Sequence, residues 1–340
     1  MASRVLVTGA SGFIAQHVIL QLLEKGYSVR GTLRSLKRAD EVRAILAKHS
    51  PRAAEIEFVE ADLSSDKGWA EAVKNCEFVQ HIASPIVEVM PKDENDLIRP
   101  ARDGALRVLA ATKAAGVKRV VMTSSLAAIA YGLGDKRPKI VDESHWSNPE
   151  GADNTAYTKS KTIAERAAWE YVNGPGKGLE LATINPGAVL GPALSPDTSA
   201  SLQIAIQLLG GKAPGLPRLG FTLVDVRDVA ACHVAAMETP AAAGERFIAA
   251  NDFVWLADCA AILREAFPEY AKKIPTRKVP DFLLRFIAVF QPLYRQTVTE
   301  LGRERNASHA KAERILGVKF RTAKEALISS AQSLIQLKVV

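Results

Sequence analysis

Cysteine is scarce in this chain of 340 residues, and the three that occur form no framework. Cys76, Cys232 and Cys259 lie far apart, without the CxxC or Cys/His spacing of a metal site. Because three scattered cysteines cannot build a disulfide scaffold, we expect buried thiols in a reducing compartment. The sequence therefore predicts a cytoplasmic protein and no bound metal.

Long apolar runs and blocks of like charge are also missing. The chain begins with a strand-like run and has no apolar segment of signal-peptide length behind a basic start. Residues 282–293 are apolar but too short to cross a bilayer, and Arg285 and Pro292 interrupt them. The net charge is +7, with Lys and Arg scattered among almost as many carboxylates. We therefore expect neither a membrane nor a nucleic-acid partner.

The sequence does contain a regular alternation of short strand-like runs with longer segments of helical period. This alternation predicts an α/β fold with a doubly wound parallel sheet of the Rossmann type. The segments are Arg4–Thr8, Phe13–Lys25, Ser28–Leu33, Arg38–Lys48, Glu55–Glu60, Lys67–Asn75, Phe78–Ile82, Leu97–Ala115, Arg119–Thr123, Ala156–Tyr171 and Leu179–Ile184.

Two stretches rich in Gly and Pro, residues 185–220 and 268–292, break this rhythm. They predict a smaller mixed lobe that binds substrate and closes over the carboxyl edge of the sheet. We expect the Rossmann domain to comprise residues 1–190 and 221–250, and the smaller lobe residues 191–220 and 251–340.

A small-residue pattern, TGASGFIA at positions 8–15, lies where the first strand passes into the first helix. Gly9 permits the tight turn, Gly12 lets the backbone approach a pyrophosphate, and Ala15 allows helix and strand to pack closely. The free N–H groups of the helix then face the phosphates. The residues predicted to bind the cofactor here are Thr8, Gly9, Ser11, Gly12, Phe13 and Ile14.

The second strand lacks the carboxylate that usually holds a free ribose 2′-hydroxyl. It runs instead into Arg34, Lys37 and Arg38, whose charges suit a 2′-phosphate, so the sequence favours NADP(H). A solvated basic turn is the alternative. After the third strand, Asp62 and Leu63 are placed to meet the adenine, although Asp62 equally suits the cap of the following helix.

Tyr157 and Lys161 are four residues apart on a predicted helix and project from the same face. An ammonium group beside a phenol stabilises the phenolate and lowers its pKa, so Tyr157 is suited to donate or accept a proton. The fifth strand ends in Ser124 and Ser125, at the edge where open α/β sheets bind ligands. We expect Ser125 to hold the substrate oxygen, with Ser124 as the competing candidate.

These motifs together resemble the extended short-chain dehydrogenase/reductase family. The chain most resembles its dihydroflavonol 4-reductase-like branch, which includes cinnamoyl-CoA reductases and related aldehyde and ketone reductases. The resemblance covers residues 4 to about 250. The motifs that carry it are TGASGFIA, the TLR turn at Arg34, ASP at 83–85, TSS at 123–125, DESHW at 142–146, YTKSK at 157–161, SKTIAERAAW at 160–169, NPG at 185–187 and VLGP at 189–192.

The resemblance implies that Lys161 also binds the nicotinamide ribose and that Pro186 and Val189 line the nicotinamide. It places Ala83 and Ser84 at the cofactor site, with Ser84 and Pro85 bordering the pocket. It also implies that Arg227 and Asp228 hold the lobes together. Relatives of this family often pair through the helix that carries Tyr157 and the preceding one, so a homodimer is the expectation for an oligomeric state that is otherwise open.

The chain departs from the family at two positions. Epimerases that act on sugar nucleotides carry Arg-x-x-Asn before the Val-x-Gly-Pro turn, whereas Asn185-Pro186-Gly187-Ala188 stands here, which argues against a nucleotide sugar. Arg102-Asp103-Gly104 stands where some relatives have an Asn that supports a proton relay, and we assign that role to no residue.

The expected function is therefore reduction by NADPH of a bulky aldehyde or ketone, a small-molecule carbonyl substrate, to the alcohol. An alcohol dehydrogenase acting on a steroid-like or sugar-like alcohol is the alternative enzyme, and a non-catalytic NADP-sensing protein is the alternative of another class. Apolar side chains are the candidate pocket walls. They are Trp146, Phe221, Phe282, Phe286 and Phe290, of which the last three equally suit a buried or subunit-facing helix stripe.

Overall fold

The computed structural model describes residues 3–85, 91–134, 137–197, 199–291 and 295–340. In chain order its strands are β1 (Arg4–Val7), β2 (Ser28–Leu33), β3 (Glu57–Glu60), β4 (Phe78–His81), β5 (Arg119–Thr123), β6 (Ile140–Val141), β7 (Glu180–Pro186), β8 (Ala188–Leu190), β9 (Leu216–Pro217), β10 (Gly220–Asp225), β11 (Arg246–Ala249), β12 (Phe253–Trp255), β13 (Lys278–Val279) and β14 (Asn306–Ala307).

The α-helices follow the strands in the expected alternation over the first half of the chain. They are α1 (Phe13–Glu24), α2 (Ala39–Ala47), α3 (Trp69–Val73), α4 (Asn95–Ala114), α5 (Ala156–Asn173), α6 (Gln203–Leu209), α7 (Val226–Glu238), α8 (Leu256–Ala266), α9 (Asp281–Phe290), α10 (Arg295–Glu300), α11 (Ala310–Leu316) and α12 (Ala323–Gln336).

A seven-stranded parallel sheet in the order β11-β7-β5-β4-β1-β2-β3 forms the centre of the molecule. Strand β1, which lies inside this sheet between β4 and β2, is fully buried through Val5, Leu6 and Val7, as expected for a strand covered on both faces. The order of the strands reverses between β1 and β4, which makes a switch point at the carboxyl edge. The predicted doubly wound sheet is confirmed.

A second, three-stranded sheet lies outside the main one. Strand β10 pairs with β8 in parallel and with β12 in antiparallel orientation. The sequence assigns residues 221–250 to the Rossmann domain. Within this range β11 belongs to the main sheet, whereas β10 belongs to the smaller sheet. Helix α7 nevertheless packs along α1. The two-lobe division itself remains a prediction.

The aromatic residues of α9 do not form a buried stripe. Phe282, Phe286 and Phe290 are 74%, 63% and 71% exposed, whereas Leu284 and Ala288 on the opposite side of the helix are buried. The four-residue spacing of the phenylalanines places them on one side of the helix, but the opposite side, with Leu284 and Ala288, packs against the protein. No helix in the described part of the chain has the length and apolarity needed to cross a bilayer.

Candidate active site

Most of the residues singled out in the sequence lie where strands of the main sheet end. Because these strands are parallel, their carboxyl ends share one edge. Gly9 follows β1, Arg34 follows β2, Ser84 follows β4 and Ser125 follows β5. Asp62 and Leu63 follow β3, and Pro186 ends β7. The fold thus gathers the predicted cofactor and catalytic residues along a single edge.

The loop between β1 and α1 has the geometry expected of a dinucleotide site. Gly9 adopts a φ of +68°, and a side chain there would also meet the Cβ of Ala83 at 3.1 Å. Helix α1 begins after Gly12, which is exposed and provides no capping side chain. The first turn contains no acidic residue, so its free N–H groups are available to an anion. The half-buried Ser11, Phe13 and Ile14 complete this loop.

Thr8 serves a different purpose from the one predicted. The residue is fully buried, and its hydroxyl accepts the backbone N–H groups of Ile82 and Ala83 at 3.0 and 2.9 Å. The same hydroxyl lies 3.0 Å from Nδ1 of His81. Thr8 therefore joins the ends of β1 and β4, and its side chain has no capacity left for a cofactor.

The basic turn after β2 has free cations. Arg34 and Lys37 are exposed, and neither side chain has a hydrogen bond or ion pair within the described residues. The guanidinium of Arg38, in contrast, is held by Glu41 and Asp197 at 3.0 Å each. Arg34 and Lys37 thus fit the phosphate of NADP(H), and the chain from Ser28 to Lys37 contains no carboxylate.

Asp62 forms a turn with Ser64 and does not cap the following helix, because the N-cap of α3 is Gly68. One carboxylate oxygen accepts both the backbone N–H and the hydroxyl of Ser64 at 2.7 Å. These hydrogen bonds hold the pKa of the Asp62 carboxyl below its usual range, and the charges of Arg34 and Arg107 act in the same direction. Leu63 packs against Gly104 of α4, so the helix lies very close to the end of β3.

The structure separates the two serines at the end of β5. The hydroxyl of Ser124 is buried and donates to Glu165 at 2.5 Å. Ser125 is half-buried, and its hydroxyl is a hydrogen-bond partner of the Tyr157 phenol. The Ser125 hydroxyl also accepts the backbone N–H of Ala127 at 3.1 Å. Of the two candidates, only Ser125 faces the tyrosine.

Tyr157 and Lys161 share the start of α5, as their spacing predicted. Thr155 and Thr158 cap this helix reciprocally, which places Tyr157 in its first turn. Nζ of Lys161 lies 5.8 Å from the centre of the Tyr157 ring and donates to the Ser84 hydroxyl at 2.8 Å. Burial lowers the pKa of Lys161 to about 8, although the charge of Glu165 opposes this change.

The expected lowering of the Tyr157 pKa does not occur in the protein alone. Burial raises the pKa of this phenol, and the hydrogen bond with Ser125 opposes the increase only in part. Lys161 is hydrogen-bonded to Ser84 rather than to the phenolic oxygen. In this state Tyr157 is a protonated donor at neutral pH, which is the form that reduction of a carbonyl needs.

A cavity of about 450 Å³ opens beside Tyr157. Its size suits a small-molecule ligand, and none of the residues that line it is charged. Of the candidate pocket walls, Phe221 lines this cavity, whereas Trp146 borders a separate surface groove with Arg166 and Glu170. The cavity walls are Tyr157, Ala188, Ala200, Ser201, Gln203, Ile204, Gln207, Leu208, Ala213, Phe221 and Leu256.

The remaining predicted residues lie near the same edge. Pro186 and Val189 are buried at the end of β7 and in β8, and Ala83 and Pro85 are half-buried after β4. Asp228 accepts the backbone N–H of Arg321 at 2.7 Å, which joins α7 to a distant segment, whereas Arg227 pairs with Asp225, two residues before it, at 2.6 Å. Across the described residues, no cluster of three His, Cys, Asp or Glu side chains is arranged for a metal ion.

Sequence reasoning missed the residue with most hydrogen bonds behind the site, Glu165. It is fully buried and accepts from Ser124, Arg246 and three other donors. Its position four residues after Lys161 was the available signal. Its partners come from β5, β7 and β11, which the sequence does not bring together by spacing.

Comparison with known proteins agrees with this geometry. The model of the NAD dependent epimerase/dehydratase family matches residues 5–250. Cinnamoyl-CoA reductase 1 of Arabidopsis thaliana is 36% identical over 307 residues, which cover 85% of this chain and 87% of the relative. A putative anthocyanidin reductase of Ginkgo biloba is 36% identical over 289 residues, covering 80% and 82%.

A solved structure is similar along nearly the whole length. Yeast methylglyoxal/isovaleraldehyde reductase Gre2, complexed with NADPH, superposes with a TM-score of 0.82 at 28% identity and covers 99% of both chains. The resemblance found in the motifs is thereby confirmed. The chain belongs to the NAD dependent epimerase/dehydratase family, the extended short-chain dehydrogenases/reductases, and within it to the branch of oxidoreductases that includes the cinnamoyl-CoA reductases.

Proposed function

We propose that this protein reduces the carbonyl group of a bulky aldehyde or ketone to the alcohol, with NADPH as reductant and Tyr157 as proton donor. One observation carries the proposal: Tyr157 stands in the wall of an uncharged cavity, with the Ser125 hydroxyl beside it and Lys161 one helical turn away. The reductases among its relatives support the reaction class.

The residues of the chain divide the chemistry between them. When bound, reduced nicotinamide supplies a hydride to the carbonyl carbon. The Ser125 hydroxyl donates a hydrogen bond to the carbonyl oxygen as negative charge develops there. Tyr157 then transfers its phenolic proton to that oxygen, and the Lys161 ammonium stabilises the phenolate that remains.

The cofactor would be held by the loop and the cations already described. Gly9 and Gly12 allow the pyrophosphate to approach the uncapped first turn of α1, and Arg34 with Lys37 would bind the 2′-phosphate. The free guanidinium of Arg34 favours NADPH over NADH. Cellular NADP pools support reduction, so this preference also favours the reductase over the alcohol dehydrogenase.

The proposal is tested by the loss of nicotinamide absorbance with aromatic and aliphatic aldehydes, ketones and dihydroflavonols. We expect oxidation of NADPH that is much slower with NADH. Tyr157→Phe should lower kcat by about 100-fold or more, because it removes the general acid while leaving the cofactor site intact. Tyr171→Phe, at the far end of the same helix, is the matched control and should retain activity.

Binding of NADPH to each variant, followed by fluorescence, separates chemistry from folding. Tyr157→Phe should bind NADPH as wild type does. If wild type binds NADPH tightly but oxidises it with no substrate of the panel, a sensing role gains support. If Tyr157→Phe reduces substrates as fast as wild type, Tyr157 is not the proton donor.

A further inference from the structure

Glu165 is a fully buried carboxylate directly behind the candidate active site. Its Oε2 accepts Ser124 Oγ at 2.5 Å and Asn185 Nδ2 at 2.7 Å, and its Oε1 accepts Arg246 Nε at 2.7 Å. Two further donors complete the set. They are Thr183 Oγ1 at 3.2 Å and Trp169 Nε1 at 3.3 Å, both to Oε1.

These hydrogen bonds hold the backbone that presents Ser125. Ser124 precedes it directly, and the Asn185 amide that donates to Glu165 also donates to the Ser125 carbonyl oxygen at 3.2 Å. The carboxyl ends of β5 and β7 are therefore tied to one carboxylate on α5. A change at Glu165 would alter the position of the Ser125 hydroxyl without touching the substrate cavity.

Glu165 is also the charged neighbour of Lys161. The two residues are one turn apart on α5 and line a small cavity of about 20 Å³, room for about one water. With so little solvent between them, their electrostatic interaction is weakly screened. Burial lowers the pKa of Lys161, and the negative charge of Glu165 limits that decrease.

The other groups around Lys161 carry no comparable charge. His81 on β4 lines the same cavity, but burial lowers its pKa to about 3, so it is neutral. Ser84 accepts the Lys161 hydrogen bond, and α4 contributes only Ala101 and Ala105 to the cavity wall. The Tyr157 phenol is uncharged at neutral pH because burial raises its pKa.

Arg246 compensates the buried charge of Glu165 from the far side. Arg246 is 8% exposed. Its guanidinium donates to the carbonyl oxygens of Glu143 and His145 at 2.8 Å and lies 3.7 Å from the centre of the Trp146 ring. The guanidinium is thus fixed in place. Lys161, Glu165 and Arg246 form a buried array of positive, negative and positive charge.

We propose that Glu165 and Arg246 are a positioning pair, which holds the Ser125 hydroxyl in place and sets the charge of Lys161 beside Tyr157. Neither residue reaches the substrate cavity, so neither is a catalytic residue. The inference rests on the proposed function for the roles of Ser125 and Lys161, but the charge control is a property of the protein itself.

Opposite substitutions should have opposite effects on Lys161. Glu165→Gln removes the attractive charge and leaves the cation of Arg246 unpaired, so the pKa of Lys161 should fall. Arg246→Gln removes the more distant cation, whose positive charge opposes that of Lys161, so the pKa of Lys161 should rise. A role confined to packing predicts no such difference in sign.

Two measurements test the pair in the full-length protein. The first is kcat/KM for reduction by NADPH against pH, in which the wild-type activity should fall above about pH 8 as Lys161 loses its proton. The second is the ¹³C shift of the Lys161 ε carbon against pH in ¹³C-lysine protein, assigned with Lys161→Met. Glu170→Gln, exposed on the same helix, is the matched control.

We expect both midpoints to move down by about one pH unit in Glu165→Gln, up in Arg246→Gln, and not at all in Glu170→Gln. Glu165→Gln should also lower kcat more than it changes KM. If Glu165→Gln does not fold, the upward shift of both midpoints in Arg246→Gln still tests the inference. Loss of activity at every pH, with Lys161 titrating as in wild type in both variants, would overturn the inference. Correct shifts of Lys161 in a protein that reduces no carbonyl would support the charge control and refute the proposed function.

Discussion

The basic residues at the cofactor site differ in whether their charge is paired with a carboxylate of the protein. Arg34 has no partner among the described residues, whereas Arg38, four positions later, is held by two carboxylates. The sequence predicted a basic cluster but could not separate its members, because Asp197 approaches Arg38 from a distant part of the chain. The side chain of Arg34 therefore remains available to an anionic ligand, whereas that of Arg38 does not.

This difference predicts the cofactor preference of two variants. Arg34→Ser should weaken NADPH binding by about 10-fold or more, since a charge-assisted hydrogen bond contributes about 1.5–3 kcal/mol, and should leave NADH binding unchanged. Arg38→Ser should have a smaller effect on both cofactors. Dissociation constants from fluorescence titration provide the comparison, and an equal loss for NADPH and NADH in Arg34→Ser would contradict it.

The serines at the end of β5 show what sequence can and cannot predict at the scale of one residue. The strand end was correctly located because its apolar run stops at Thr123. Which hydroxyl faces the tyrosine depends on Glu165 of α5, because its carboxylate accepts the hydrogen bond of the Ser124 hydroxyl. Similarly, spacing predicted that Tyr157 and Lys161 share a helix face, but only their burial determines the direction of their pKa changes.

Secondary-structure elements were most predictable where local sequence and burial agree. The expected bounds of β2 and β5 are those observed. Strand β5 contains a continuous apolar run, and β2 lies between Gly26 and the basic turn that begins at Arg34. The start of α5 has its own signal, a reciprocal threonine cap at Thr155. The three-stranded sheet was not predicted, because β8, β10 and β12 are short and their pairing joins distant segments.

Helix α9 has an exposed apolar side and a buried side, so substitutions on the two sides should affect the free energy of unfolding differently. Phe282→Ser combined with Phe286→Ser should change the free energy of unfolding by about 1 kcal/mol or less, because both side chains are largely exposed in the protein. Leu284→Ala, on the buried side of the same helix, should cost about 2 kcal/mol or more. Urea unfolding compares the two.

The outcome also reports on self-association. If the double serine variant is destabilised as much as Leu284→Ala, the aromatic side chains are covered in solution, and an elution volume that depends on protein concentration would identify a second copy as the cover. An unchanged elution volume and stability would show that this surface is free.

The molecule as a whole contains three histidines that folding keeps neutral. Burial lowers the pKa of His17 to about 4, and of His81 and His233 to about 3. Two of them fasten the main sheet: His81 lies against Thr8 of the β1 end, and His233 on α7 bonds Thr123 at 2.8 Å. His17 on α1 bonds the Pro192 carbonyl oxygen at 2.9 Å, next to the smaller sheet.

These histidines make the fold sensitive to acid, because each has a folded pKa below its unfolded value of 6.5. As pH falls below 6.5, the histidines of the unfolded chain bind protons that those of the native state do not bind. Stability is therefore lost progressively until the folded pKa values are reached. Each histidine should then cost about 1.4 kcal/mol per pH unit. We therefore expect the free energy of unfolding to decrease by several kcal/mol between pH 7 and pH 5.

His17→Gln isolates one of these contributions. A glutamine amide can still donate to the Pro192 carbonyl but binds no proton, so this variant should lose about 2 kcal/mol less than wild type between pH 7 and pH 5. His49→Gln, which changes an exposed histidine, should follow wild type. Urea unfolding of the three proteins at both pH values measures the difference. If His17→Gln loses stability as steeply as wild type, His17 binds its proton as readily in the native state as in the unfolded chain, and the acid sensitivity of the fold arises from other groups.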